Sequence, residues 1–129
     1  MIKNFTYILL VPFCLAILAI SSCESAYLVY DDNPIPDTVK FSMDIQPIFN
    51  ESCNTSGCHA QGGYTPYLTE SDAYMNLMVY GMVDVSDAES SIIYTRLTSI
   101  NNPMPPDGNL PVNKTELILK WIRQGAMDN

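Results

Sequence analysis

Basic residues are scarce in this chain: Lys and Arg total 6 against 14 Asp and Glu, a formal net charge of −8, and no basic run occurs. A surface of that sign repels nucleic acid and anionic membrane, so nucleic-acid binding is excluded and a protein partner would present a basic patch. Histidine is scarcer still, with His59 the single example. A structural zinc site wants four ligands, and one imidazole with two nearby cysteines falls short. Cysteine is sparse and unevenly placed. Cys14 and Cys23 lie in or beside an N-terminal apolar stretch, leaving only Cys53 and Cys58 for the body, too few for a disulfide framework. A thioredoxin-like pair needs C-x-x-C beside a βαβ pattern, and neither is present. The longest apolar run, Phe5 to Ile20, covers 16 residues, short of the roughly 20 that a membrane-spanning helix needs. Strand-like alternation and internal repeats are missing from residues 39–129.

What is present at the N-terminus reads as an export address. Met1-Ile-Lys-Asn supplies a short positive start, the apolar run follows, and it ends in Ile20-Ser21-Ser22-Cys23. An aliphatic residue, two small residues and a cysteine resemble the lipobox of bacterial lipoproteins, which implies cleavage before Cys23 and lipidation of that residue. An ordinary signal peptide or an uncleaved anchor helix is the competing reading. Either one places the body outside the cytoplasm, and lipidation would tie it to the membrane of the cell envelope, facing the periplasm or the exterior.

Three regions follow: a leader over 1–22, a lipidated N-terminus and tether over 23–38, and one domain over 39–129. The tether carries Asp31-Asp32-Asn33-Pro34 and Pro36 as breakers, although Tyr27-Leu28-Val29-Tyr30 could form a strand against the domain. In the domain, Phe41, Ile45, Ile48 and Phe49 recur at helical spacing, with Ser42 or Asp44 as caps and Pro47 tolerable only in a first turn. Further helices are predicted over 70–79, 90–98 and 114–124. The last has Asn113 as its N-cap, the stripe Leu117, Ile118, Trp121 and Ile122, and Gly125 as its stop. The fold class is therefore all-α, with about four short helices. So small a helical domain with long loops has difficulty burying enough apolar surface unaided, and a flat apolar cofactor would supply the missing core.

The segment Cys53-Asn-Thr-Ser-Gly-Cys58-His59 resembles the C-x-x-C-H haem-attachment motif of c-type cytochromes, with four residues between the cysteines in place of two. The insert is small, polar and turn-forming, and can loop out. Downstream, Asn102-Pro103-Met104-Pro105-Pro106-Asp107-Gly108 and the closing helix ending Trp121-Ile-Arg-Gln-Gly125 resemble the methionine loop and C-terminal helix of small bacterial cytochromes c. The similarity covers residues 39 to 127.

The resemblance implies a cytochrome c fold in which the first and last helices cross near Phe49 and Trp121. It implies one haem c held through Cys53 and Cys58, His59 as the proximal iron ligand and Met104 as the distal one. It also implies that Pro66 offers its carbonyl to the His59 ring. Met75, Met78 and Met82 are the other methionines near helical spacing, read as core packing. The implied activity is single-electron transfer between redox proteins of the cell envelope, by a carrier and not an enzyme. A haem-based small-ligand sensor, or a haem-free structural lipoprotein with a Cys53–Cys58 disulfide, are the alternatives. The disulfide would leave His59 and the Pro-Met-Pro-Pro loop without a role.

Overall fold

The structure, a computed structural model, describes residues 34–129; the leader, Cys23 and the first part of the tether lie outside the described residues. The ordered elements are a π-helical turn Phe41–Ile45, α1 Gln46–Ser52, α2 Ala73–Val79, a 3₁₀ turn Ala88–Ser90, α3 Ile92–Leu97 and α4 Val112–Arg123. No strand occurs among the described residues, so this part of the chain is all-α. None of its helices is long and apolar enough to cross a membrane.

The first predicted helix is present but divided, and Pro47 supplies the physical reason. Proline has no N–H to give and its ring crowds the carbonyl four residues back. Just before it, Gln46 N–H reaches back to Phe41 O, a bond one residue longer than the α-helical one. Pro47 then falls in the first turn of α1, the place where its missing donor costs least.

Neither Ser42 nor Asp44 caps the side-chain acceptor position of this helix start as expected from local sequence. The Phe41 N–H donates to Asn129 Oδ1 at 2.9 Å, and the Ser42 N–H and Oγ–H both donate to Asn129 O, at 2.9 and 2.7 Å. Asp44 instead accepts the Lys40 N–H. Orphan donors at a helix start must find oxygen somewhere, and the far end of the chain provides it. Replacing Asn129 with Ala is expected to lower the unfolding free energy by about 1 kcal/mol in a urea titration; an unchanged midpoint would show that water caps the turn as well.

The domain edge also extends upstream of residue 39. Lys120 Nζ donates to Pro36 O at 2.6 Å, Gln124 Nε2 donates to Asp37 O at 2.7 Å, and Val39 N–H donates to Gln124 Oε1 at 2.9 Å. The last residues assigned to the tether are thus fastened along α4.

Helix α4 carries the predicted stripe: Ile118, Trp121 and Ile122 are fully buried and Leu117 half-buried. Its start differs from the sequence reading. Pro111 occupies the N-cap position and its carbonyl accepts from Lys114 and Thr115. Asn113 therefore lies within the first turn of the helix, buried, with Oδ1 unpaired among the described residues. Gly125 ends the helix at φ +96°, in the left-handed region.

Phe41 packs near both Phe49 and Trp121, the two residues where the first and last helices are expected to cross. Phe41 lies 5.2 Å from Trp121 and 6.2 Å from Phe49 between ring centroids, so α4 meets the π turn. Trp121 Nε1–H donates to Met127 O at 2.9 Å and draws the C-terminal tail over the core. The Lys114–Glu51 ion pair, 2.6 Å, joins the start of α4 to the end of α1.

Candidate functional site

The segment 53–68 leaves the end of α1, turns, and returns beside it. Its entry is set by Cys53 and Asn54, whose N–H groups both donate to Phe49 O. Its return is held by one side chain of the loop and one of α1: Asn54 Nδ2 and Gln46 Nε2 both donate to Leu68 O, at 3.2 and 3.1 Å. Tyr67 N–H donates to Asn76 Oδ1 at 2.9 Å, tying the same stretch to α2.

Within this loop the four-residue insert forms a tight turn. Cys58 N–H donates to Thr55 O, and Gly57 takes φ +82° with nothing within 4 Å of where a Cβ would stand. Thr55, Ser56 and Gly57 are exposed while Cys53 and Cys58 are partly buried. The extra residues therefore project outward. Across them, His59 N–H donates to Cys53 O at 3.1 Å. With two intervening residues the cysteine and histidine would stand four apart, the spacing of an ordinary helical bond; here the same two groups bond across the longer spacer.

His59 is oriented by carbonyls. Its Nδ1 lies 2.9 Å from Pro66 O and 3.2 Å from Tyr64 O. Carbonyl oxygens only accept, so Nδ1 carries a proton and donates; in the neutral ring this tautomer leaves the Nε2 lone pair for a ligand or metal. The backbone of His59 is held as well, its O accepting from Leu68 N–H at 2.8 Å. The structure thus brings Cys53, Cys58, His59 and Pro66 together on one loop.

Gly63 is the residue of this site that sequence reasoning missed. A Cβ there would meet Cys58 O at 2.2 Å, and the Tyr64 N–H donates to that same oxygen at 2.7 Å. Only glycine allows the returning strand of the loop so close to the Cys58–His59 peptide. The adjacent glycines 62 and 63 are the signal, but a Gly-Gly pair marks any turn.

Both cysteines are free thiols. Burial first, and the neighbouring Cys58 second, push the Cys53 thiol up to about 11. At neutral pH it stays protonated, which makes it a poor metal ligand and a slow partner in disulfide exchange. In haem-free protein, iodoacetamide at about pH 8 should modify Cys53 roughly 100-fold more slowly than an unperturbed cysteine, the rate climbing through about pH 11. Rapid modification at neutral pH would mean the thiol is not desolvated as described.

Met104 lies on a different loop of the chain. It is partly buried in its proline-flanked loop, where its N–H donates to Arg96 O at 3.0 Å and fastens the loop to α3. Among the competing methionines, Met75 is 63% exposed, whereas Met78 and Met82 lie half-buried against the core. Cys53, Tyr74, Val83, Ile93, Tyr94 and Leu117 are likewise half-buried and pack against the core. No three His, Cys, Asp or Glu side chains gather closely enough to hold a bare metal ion among the described residues. Cys23 lies outside the described residues.

No protein-family model, curated protein or solved structure matches this chain.

Proposed function

We propose that this protein is an exported, lipid-anchored electron carrier that holds one haem c covalently. The observation that carries the reading is the loop 53–66, where two free thiols precede an imidazole whose Nδ1–H is fixed on the Pro66 carbonyl. That arrangement has the chemistry a covalently attached porphyrin demands. Two thiols are available for thioether bonds to vinyl groups, and a neutral imidazole offers Nε2 to iron. Cys53, Met78 and Met82 are each half-buried against the core, and a bound apolar group would remove their remaining surface from water.

When bound, the haem supplies an iron that accepts and returns one electron. The rest falls to the chain. Cys53 and Cys58 fasten the group to the loop, and the outward turn at 55–57 lets both do so despite the longer spacer. His59 is the proximal ligand, with Pro66 and Tyr64 fixing its ring and raising its basicity. Met104 is the distal ligand, a soft thioether whose flanking prolines limit the freedom lost on ligation. With His59 and Met104 both engaged by the iron, the protein would be a carrier and not an enzyme. Cys23 would hold it at the envelope membrane, and its partners would be redox proteins with basic docking patches.

The test is an absorption spectrum of the purified, exported protein made with and without cytochrome maturation machinery, followed by haem staining of a denaturing gel. A low-spin haem spectrum that stays with the denatured chain, only when the machinery is present, is the expected result. A colourless product with Cys53 and Cys58 free or joined to each other would end the proposal. Carbon monoxide separates carrier from sensor: the reduced carrier resists it, whereas fast and complete binding would mean that Met104 leaves the distal position open.

A further inference from the structure

We infer that Asn76 is a positioning residue for His59: by accepting the Tyr67 N–H it fixes the peptide unit whose carbonyl holds the imidazole proton. That peptide joins Pro66 to Tyr67 and is bonded at both ends. Its oxygen lies 2.9 Å from His59 Nδ1, and its N–H donates to Asn76 Oδ1 at 2.9 Å. The Asn76 side chain thus stands one peptide away from the ring, on a helix that shares no residue with the segment 53–68.

Two physical effects follow, the first geometric. A peptide unit is planar, so fixing its N–H fixes the direction of its C=O. Asn76 is a firm place to fix it. Its neighbours Ala73 and Leu77 on α2 are buried, its N–H donates to Asp72 O at 2.8 Å, and its carbonyl accepts from Tyr80 at 3.0 Å. The second effect is electronic. An amide whose N–H is engaged carries more negative charge on its oxygen, so the two hydrogen bonds strengthen one another. The Pro66 carbonyl is therefore the better of the two acceptors the ring reaches. Tyr64 O is farther, at 3.2 Å, and its contact is exposed to competing water, whereas the Pro66 contact is partly buried.

A stronger acceptor at Nδ1 keeps the proton there and makes Nε2 more electron-rich. On the proposed haem reading, on which this consequence alone rests, a more electron-rich Nε2 favours ferric over ferrous iron. Asn76 then sets part of the reduction potential without touching the ring.

The full chain, ¹⁵N-labelled, is compared with Asn76→Ala, Asn76→Asp and Thr69→Val. His59 is the only histidine, so the ring ¹⁵N shifts report one imidazole. At about pH 9, above the ordinary histidine range, they give the ratio of the Nδ1–H to the Nε2–H tautomer. In haem-free Asn76→Ala that ratio should fall about threefold. Asn76→Asp, which keeps an acceptor at the same place, should restore it. Thr69→Val removes the hydroxyl that bonds Asp72 at the start of α2; it loosens the helix without touching the Pro66–Tyr67 peptide and should leave the ratio unchanged. In haem-loaded protein held at a fixed potential, Asn76→Ala should raise the ferrous-to-ferric ratio about threefold. A tautomer ratio that stays constant in Asn76→Ala, falls as far in Thr69→Val, or is not restored in Asn76→Asp would overturn the inference; an unmoved ferrous-to-ferric ratio would overturn its consequence for iron. A parent chain without haem would end the electron-carrier reading and leave the tautomers to decide this one. If the haem-free chain does not fold, the haem-loaded comparison decides. Should Asn76→Ala not fold, the parent decides: a ring mainly in the Nε2–H form, or a Tyr67 amide that exchanges freely with solvent, would overturn the inference as well.

Discussion

On the proposed haem c reading, a His59→Ala chain produced under the same maturation conditions as the parent should lose the low-spin haem spectrum. His59 is the only histidine in the sequence, so no second imidazole can take its place. The protein's effort around this side chain is considerable: Nδ1 rests on Pro66 O and Tyr64 O, while the backbone bonds to Cys53 O and to Leu68 N–H. Alanine keeps both backbone bonds and removes only the ring. The stability of the haem-free protein should therefore change by no more than about 1 kcal/mol, the scale of one partly exposed hydrogen bond. Loss of spectrum with stability retained assigns the ring to ligation. Any residual haem would be high-spin or ligated abnormally. If the variant instead kept the parent's spectrum, His59 would not be an iron ligand. If it unfolded, the imidazole would be a structural bolt for the loop, as the haem-free reading requires.

Trp121→Ala should be the most damaging single change to the fold. The side chain is fully buried, packs on Phe41 with ring centroids 5.2 Å apart, and donates to Met127 O. Truncating a buried aromatic costs about 3–5 kcal/mol through lost contacts and the cavity left behind. Domains of this size are stable by about 5–15 kcal/mol, so the loss consumes much of the total. Thermal unfolding followed by circular dichroism should show a midpoint lowered by at least about 12 °C. Trp121→Phe separates packing from hydrogen bonding: it keeps the ring contact with Phe41, leaves the Met127 carbonyl without its donor, and should cost about 1–3 kcal/mol. A Trp121→Ala loss below about 1 kcal/mol would mean that α4 and the π turn do not share a core.

Reading of the sequence was most successful where a local pattern has only one physical outlet. The stripe Leu117, Ile118, Trp121 and Ile122 recurs with helical period, and burying it is the only way to remove that apolar surface from water. Gly125 ends the helix where its left-handed backbone permits. The polar insert Asn54–Gly57 turns because glycine in that position accepts φ +82°. The approach of Pro66 to His59 was expected from a resemblance and not from spacing, and the structure holds the carbonyl 2.9 Å from Nδ1.

Reading was least successful where a group's partner is distant along the chain. Ser42 and Asp44 satisfy every local criterion for a cap, yet the donors of the π turn are taken by Asn129. Asn113 has the composition of an N-cap, but Pro111 begins the helix two residues earlier and Asn113 is buried. Gly63 gave no sign of its role, because the clash it avoids is with Cys58 O.

The one-dimensional pattern by itself determined that the domain over 39–129 is helical and where its apolar faces lie, and it singled out the residues proposed to carry chemistry: the thiols, the lone imidazole and the proline-flanked methionine. Tertiary structure alone decided how those residues are aimed and what secures them. Periodicity and residue type act over a few positions, whereas hydrogen bonds such as Phe41 to Asn129, Val39 to Gln124 and Leu68 to Gln46 close only after the chain has folded back on itself.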